Sequence, residues 1–138
     1  MQDFRKLRVW QCAHELALAT KEAARAFPKD CRGERKSQLV RAADSIVSNI
    51  VEGCAATRKE FARYLDISIK SAAEVDYRLQ LARDDGSMSN EAWQPLSERV
   101  IEVRKMLFAL RKSVIAADEA ERQSRRRRRR TRRQSTDD

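Results

Sequence analysis

The chain has 138 residues, with 30 Lys+Arg against 21 Asp+Glu and a net charge of +9, which leaves room for one domain with a sizeable core. Three Gly and two Pro are too few for the turns of an all-β or α/β domain, so the chain reads as helical. Three cysteines without a C-x-x-C pair, and a single His, argue against a disulfide framework or a zinc site and point to a reducing, cytoplasmic setting. No run approaches about 18 apolar residues, and no standard signal peptide is visible.

The first predicted helix spans about 5–26, with Leu7, Trp10, Ala13, Ala17, Thr20 and Ala24 on one face. Phe27-Pro28-Lys29-Asp30 ends it, because proline disfavours helix at the residue before it. The second spans about 35–54, with a stripe of Leu39, Ala42, Ala43, Ile46 and Ile50 widened by Val47 and Val51. Gly53 stands where a helix C-terminal glycine is expected. The third, about 58–84, opens on a capping box in Thr57 and Glu60 and carries Phe61, Leu65, Ser68, Ile69, Ala72, Val75, Leu79 and Ala82. Asp84-Asp85-Gly86 stops it. The fourth, about 89–117, has Ser89 as N-cap and a stripe of Trp93, Leu96, Val100, Val103, Leu107, Leu110 and Val114. Long helices with short joints predict an all-α, antiparallel, up-down-up-down four-helix bundle over residues 1–121. Val47, Val51, Tyr64 and Phe108 add apolar surface off the main seams, which fits self-association or ordinary partial exposure.

The last segment, 122–138, differs in kind. It holds nine arginines (Arg122, Arg125, Arg126, Arg127, Arg128, Arg129, Arg130, Arg132 and Arg133) and two aspartates, a net of +7. Removing it leaves 21 basic and 19 acidic groups, so the body is close to neutral. Blocks of like charge repel and build no core, so this segment is expected to be a disordered tail. Its natural partners are polyanions: RNA, DNA or an anionic membrane surface. Two further basic groups are candidates for a shared interface. Arg104, Lys105, Arg111 and Lys112 repeat at seven-residue spacing on the fourth helix and run toward the tail as one track. Arg58, Lys59 and Arg63 open the third helix. Either group also reads as a plain solvated face. Few aromatics lie among them, so binding would be directed at the phosphate backbone rather than at bases.

Catalytic chemistry finds no support in the inventory. His14 is two residues from Cys12, a spacing that does not face along a helix. Glu98 and Glu102 lie one turn apart but are flanked by Arg99 and Lys105. No Glu-x-x-His pair, His/Cys cluster or glycine-rich phosphate loop is present, so no cofactor or metal is expected. Asn49 and Glu52 stand beside Ile46 and Ile50 on a largely apolar helix. They either organise packing or subunit contacts there or face solvent.

Four stretches together resemble the proteins first met as products of intervening sequences inside bacterial 23S ribosomal RNA genes. They are Asp3-Phe4-Arg5-Lys6-Leu7-Arg8-Val9-Trp10-Gln11 with Ala13-His14-Glu15-Leu16, then Gln38 through Ile46, Val47 through Gly53, and Arg58-Lys59-Glu60-Phe61-Ala62-Arg63-Tyr64-Leu65. The resemblance covers about residues 3–115. It implies a four-helix bundle assembling as a barrel-like homopentamer. More distantly it implies kinship with accessory proteins of diversity-generating retroelements, which associate with a reverse transcriptase and bind nucleic acid without catalysis. The chain departs from the family at Val47, where proline is common, so a straighter second helix is expected. The arginine tail lies beyond the resemblance. The reading that joins these features is a non-enzymatic, oligomeric nucleic-acid-binding accessory protein. Its rival is a structural scaffold that docks a protein partner.

Overall fold

A computed structural model describes residues 2–28 and 33–137. The chain forms a 3-10 turn, Phe4–Lys6, and four α-helices: α1 Arg8–Arg25, α2 Gly33–Cys54, α3 Arg58–Asp84 and α4 Asn90–Thr136. No strand occurs among the described residues. Lys29 and Asp30 at the predicted end of the first helix, Cys31 of the three cysteines and Asp138 of the last segment's two aspartates lie outside them.

The first helix starts later than its apolar spacing predicts. Asp3 accepts a hydrogen bond from the Arg5 N–H at 3.1 Å and holds a separate turn, and Leu7 is extended before α1 begins at Arg8. The Gln2 N–H donates to the Cys54 carbonyl at 3.1 Å, which ties the chain start to the end of α2. α1 closes through tight bonds from Ala26 to Ala23 and from Phe27 to Ala24, just ahead of Pro28.

At the start of α3 both halves of the capping box form. The Glu60 N–H donates to Thr57 Oγ1 at 3.3 Å, and the Thr57 N–H donates to Glu60 Oε2 at 3.2 Å. Ser89 caps α4 by accepting from the Ala92 N–H at 3.2 Å. Gly86, at φ 81, takes the left-handed turn that separates α3 from α4.

Gly53 has a different role from the one its position suggests. It lies inside the last turn of α2, and Gly86 alone among the described glycines has a positive φ. A Cβ at Gly53 would stand 2.5 Å from Phe61 Cδ1 and 3.2 Å from Tyr64 Cβ. The residue is small because α3 passes directly against it.

The four helices surround one core. α2 packs on α3, α3 on α4, and α1 on both α2 and α4. Leu16, Leu39, Ile46, Ile50, Leu65, Leu79, Leu107, Val75, Val100 and Val103 are completely buried in it. Each such side chain stabilises the fold by about 1.5–3 kcal/mol relative to exposure. The Ser68 hydroxyl, buried on α3, donates to the Ile46 carbonyl of α2 at 2.9 Å, so its polarity is satisfied across the helix pair.

The expected end of the fourth helix near Ala117, with a disordered tail after Glu121, is not what the structure has. α4 runs for 47 residues to Thr136. Nothing after Pro95 breaks it, arginine is a strong helix former, and a helix already nucleated in the body extends at little cost. Two carboxylate-first pairs support the crossing: Asp118 with Arg122 at 3.3 Å and Glu121 with Arg125 at 2.8 Å. Arginines near a helix C-terminus also complement its dipole.

Candidate nucleic-acid interface

Arg58, at the first position of α3, reaches across to α4 and bonds Glu121 Oε2 at 2.7 Å. The other oxygen of Glu121 accepts from Arg125 at 2.8 Å. Glu121 is thus the fork where body and arm meet. Beyond it every residue from Arg122 to Asp137 is exposed. The segment 122–136 projects as a free helical arm of roughly 22 Å, at about 1.5 Å per residue. Of its nine arginines, Arg122 and Arg125 are ion-paired. The remaining seven (Arg126, Arg127, Arg128, Arg129, Arg130, Arg132 and Arg133) have no carboxylate partner among the described residues. The Thr131, Ser135 and Thr136 hydroxyls bond back to carbonyls of their own helix.

The basic group on the body of α4 is less available than its spacing suggests. Arg111 Nε is drawn to Asp66 Oδ1 of α3 at 2.5 Å, and its guanidinium is committed to holding α3 and α4 together. Arg104 lies over the Phe108 ring, 5.8 Å from the centroid. Lys105 and Lys112 are exposed and carry no ion pair among the described residues, as do Lys59 and Arg63 on α3. Asp118, Glu119 and Glu121 stand between this group and the arm. The expected continuous track is therefore two basic regions separated by a carboxylate belt.

Ile46 and Ile50 are fully buried in the chain's own core and offer no surface to a second copy. Asn49 is half-buried and donates to the Ser45 carbonyl at 2.8 Å and to Ser45 Oγ at 3.1 Å. Ser45 Oγ in turn lies 2.9 Å from Ser71 Oγ of α3. Asn49 thus belongs to a polar relay between α2 and α3, while Glu52 faces solvent. The sequence reading missed Ser45 and Ser71, although both lie one helical turn from a named residue.

Other chemistry is thin. His14 is exposed, and its ring stacks on Trp10 with centroids 4.9 Å apart and planes 9° from parallel, not against a cysteine. Cys54 is buried, and burial, then the charge of Asp3, pushes its thiol pKa up, away from the reactive thiolate. Among the described residues no three His, Cys, Asp or Glu side chains gather to hold a metal ion. No described helix is long and apolar enough to cross a membrane. An open cleft of about 380 Å³ lies between α1 and the start of α2, lined by Lys21, Arg25, Lys36 and Arg41. It stands at the far end of α2 from Arg58.

The 23S rRNA-intervening sequence protein family matches residues 5–109. The chain belongs to that family. It is also similar to the crystal structure of a protein of unknown function from the S23 ribosomal protein family of Bacteroides thetaiotaomicron VPI-5482. The two share 26% identity with a TM-score of 0.69, over 75% of this chain and 98% of that one. No curated protein matches the chain. The intervening-sequence match takes in α1 to α3 and α4 as far as residue 109, which includes Leu96, Val100, Val103 and Leu107 but not Val114, and it stops before the arm.

Proposed function

We propose that this protein is a non-enzymatic accessory factor that holds nucleic acid by its phosphate backbone, on an oligomeric, antiparallel four-helix bundle. The observation that carries the reading is the arm: seven arginines without carboxylate partners among the described residues, on a helix free of the core. Desolvating so many like charges against protein is costly, whereas polyphosphate supplies a counter-charge for each. The antiparallel arrangement is supported by Arg35, early in α2, bonding Asp85 just past the end of α3, and by Arg58, at the start of α3, bonding Glu121 late in α4. A pentamer, which the family resemblance suggests, would gather five arms on one particle and turn weak contacts into avid ones. A reverse transcriptase or another nucleic-acid enzyme is the kind of partner such a factor would serve.

A second reading, a scaffold that docks protein, is favoured by exposed Leu18, Ile67, Tyr77, Ile101 and Phe108 on the body. One titration separates the two. Full-length protein and a chain ending at Glu121 are titrated with single-stranded RNA and with DNA at several salt concentrations. Full-length protein binds the RNA with a log–log salt slope of up to about −5, from seven contacts at about −0.7 each, and the shortened chain binds far more weakly. Absence of RNA and DNA binding by the full-length protein at low salt removes the nucleic-acid reading. Equal binding by both chains moves the site onto the body. Light scattering on the same samples reports subunit number.

A further inference from the structure

The arm's arginines are not spread on one face. At about 3.6 residues per turn they fall into strips. Arg122, Arg126, Arg129 and Arg133 follow the i, i+4, i+7, i+11 pattern of one line along the helix. Arg125 and Arg132 flank that line on one side, with Arg128 beyond them. Arg130 flanks it on the other side, with Arg127 beyond it. Only a narrow strip opposite the central line lacks arginine. It holds Ser124, Thr131 and Ser135, and the last two turn their hydroxyls back onto their own backbone. The result is a rod with charge on its front and both sides and a neutral back.

That distribution selects among polyanions. A flat anionic membrane meets one face of a surface helix and leaves both flanks without counter-charge. A groove with a phosphate wall on each side meets all three strips. A helix with its side chains is about 10–12 Å across, and the major groove of B-form DNA is about 12 Å wide, while that of A-form RNA is too narrow to admit it. We infer that the arm is a groove-entering helix for double-stranded DNA: the line Arg126, Arg129 and Arg133 faces the groove floor, the flanking arginines reach the two phosphate walls, and the Ser124–Thr131–Ser135 strip faces solvent. This rests on the nucleic-acid reading above and names its substrate class. Groove binding would also relieve a strain that the free arm carries. Arg125 and Arg129, Arg126 and Arg130, Arg128 and Arg132, and Arg129 and Arg133 are like-charge pairs one turn apart, which weaken a free helix and cease to do so between phosphate walls.

The test measures fluorescence anisotropy of the full chain with four probes at one low salt concentration. They are a mixed-sequence DNA duplex of about two turns, one of its single strands, an RNA duplex of the same sequence, and vesicles containing phosphatidylserine. It adds Thr131→Pro, which keeps all nine arginines but breaks the arm mid-way, and Thr131→Ala, which keeps the helix. The inference expects the DNA duplex to bind at least tenfold more tightly than each other probe. It also expects Thr131→Pro to lose tenfold or more on that duplex alone, with Thr131→Ala unchanged. Tighter or equal binding to single strands or to the RNA duplex overturns the groove assignment and leaves the nucleic-acid reading standing, as does a Thr131→Pro variant that binds the DNA duplex like the parent. Binding to vesicles with none to any nucleic acid overturns both. Thermal melting of the variants verifies that the body, which residue 131 does not touch, remains folded.

Discussion

Two stretches of α4, residues 90–117 and 118–136, are both helical and are held by unrelated means. The first carries Leu96, Val100, Val103, Leu107 and Val114 into a shared core, so it is a helix because helix geometry buries that stripe. The second buries nothing, and its net charge opposes compaction. It is a helix because it inherits a nucleus from the first, contains no breaker, and is anchored by Asp118 and Glu121. The contrast separates structure stored in packing from structure lent by a neighbour, and changes aimed at each should behave differently.

The largest expected difference pits core truncation against arm removal. Ile50→Ala is expected to cost about 2–5 kcal/mol, read as a drop in melting temperature, because Ile50 is fully enclosed. Ending the chain at Glu121 is expected to leave the melting midpoint within about 0.5 kcal/mol equivalent, as for surface changes generally, while the far-ultraviolet helical signal falls. A large loss of stability on arm removal would mean that the arm packs on the body.

Gly53→Ala comes next. The added methyl meets the Phe61 ring at 2.5 Å, so α2 and α3 must part or the buried ring must move. A net cost of about 1–3 kcal/mol is expected, although alanine is the better helix former. An unchanged melting temperature would show that the ring yields freely. Thr57→Ala follows at about 1 kcal/mol, since it removes the acceptor of the Glu60 N–H and leaves the reciprocal bond alone.

The body was legible in the sequence because burial writes a period. Leu39, Ala42, Ala43, Ile46 and Ile50 mark α2, and Phe61, Leu65, Ala72, Val75 and Leu79 mark α3, at spacings no strand would use. Thr57 and Glu60 announced their cap. The arm was not legible by the same route. It has no apolar stripe, and a run of like charge argues for disorder unless one knows that a folded helix leads into it. Gly53 was misjudged because an end-of-helix glycine and a close-contact glycine look alike until the facing Phe61 is placed. Arg111 and Arg58 looked free for ligand because their partners, Asp66 and Glu121, are distant in sequence. The Glu121–Arg125 spacing was readable, but the Arg58 contact that makes Glu121 a fork was not.

Glu121→Gln tests that fork with a smaller effect. Both ion pairs are exposed, and pairs of this kind contribute about 0–1 kcal/mol. Body stability should barely move. Arm helicity, followed by circular dichroism at low salt, should fall more than body stability does, because the arm loses an anchor that the body does not need. Equal losses in both would mean that Glu121 matters to the core.

The smallest expected effect lies at the other end of α3, where Asp85 is held by its neighbours. Its carboxyl pKa is lowered from 3.8, first by a hydrogen bond from the Ser87 side chain. Partial burial opposes this, and the Ser87 backbone N–H and Arg35 add to the lowering. A carboxylate whose folded pKa lies below its unfolded one stabilises the fold fully above the unfolded value. It loses that contribution as pH falls through the folded value. Asp85→Asn should therefore melt slightly below the parent at neutral pH, with the gap closing from about pH 4 downward. Because Ser87 is the leading cause and Arg35 a lesser one, Ser87→Ala should shrink the gap more than Arg35→Gln does, and added salt should shrink it little. A gap that vanishes in salt would make the Arg35 pair the main support. The turn would then be held as the arm's junction is, by exposed charge, rather than by the short-range bonds that stop α3 at Asp84.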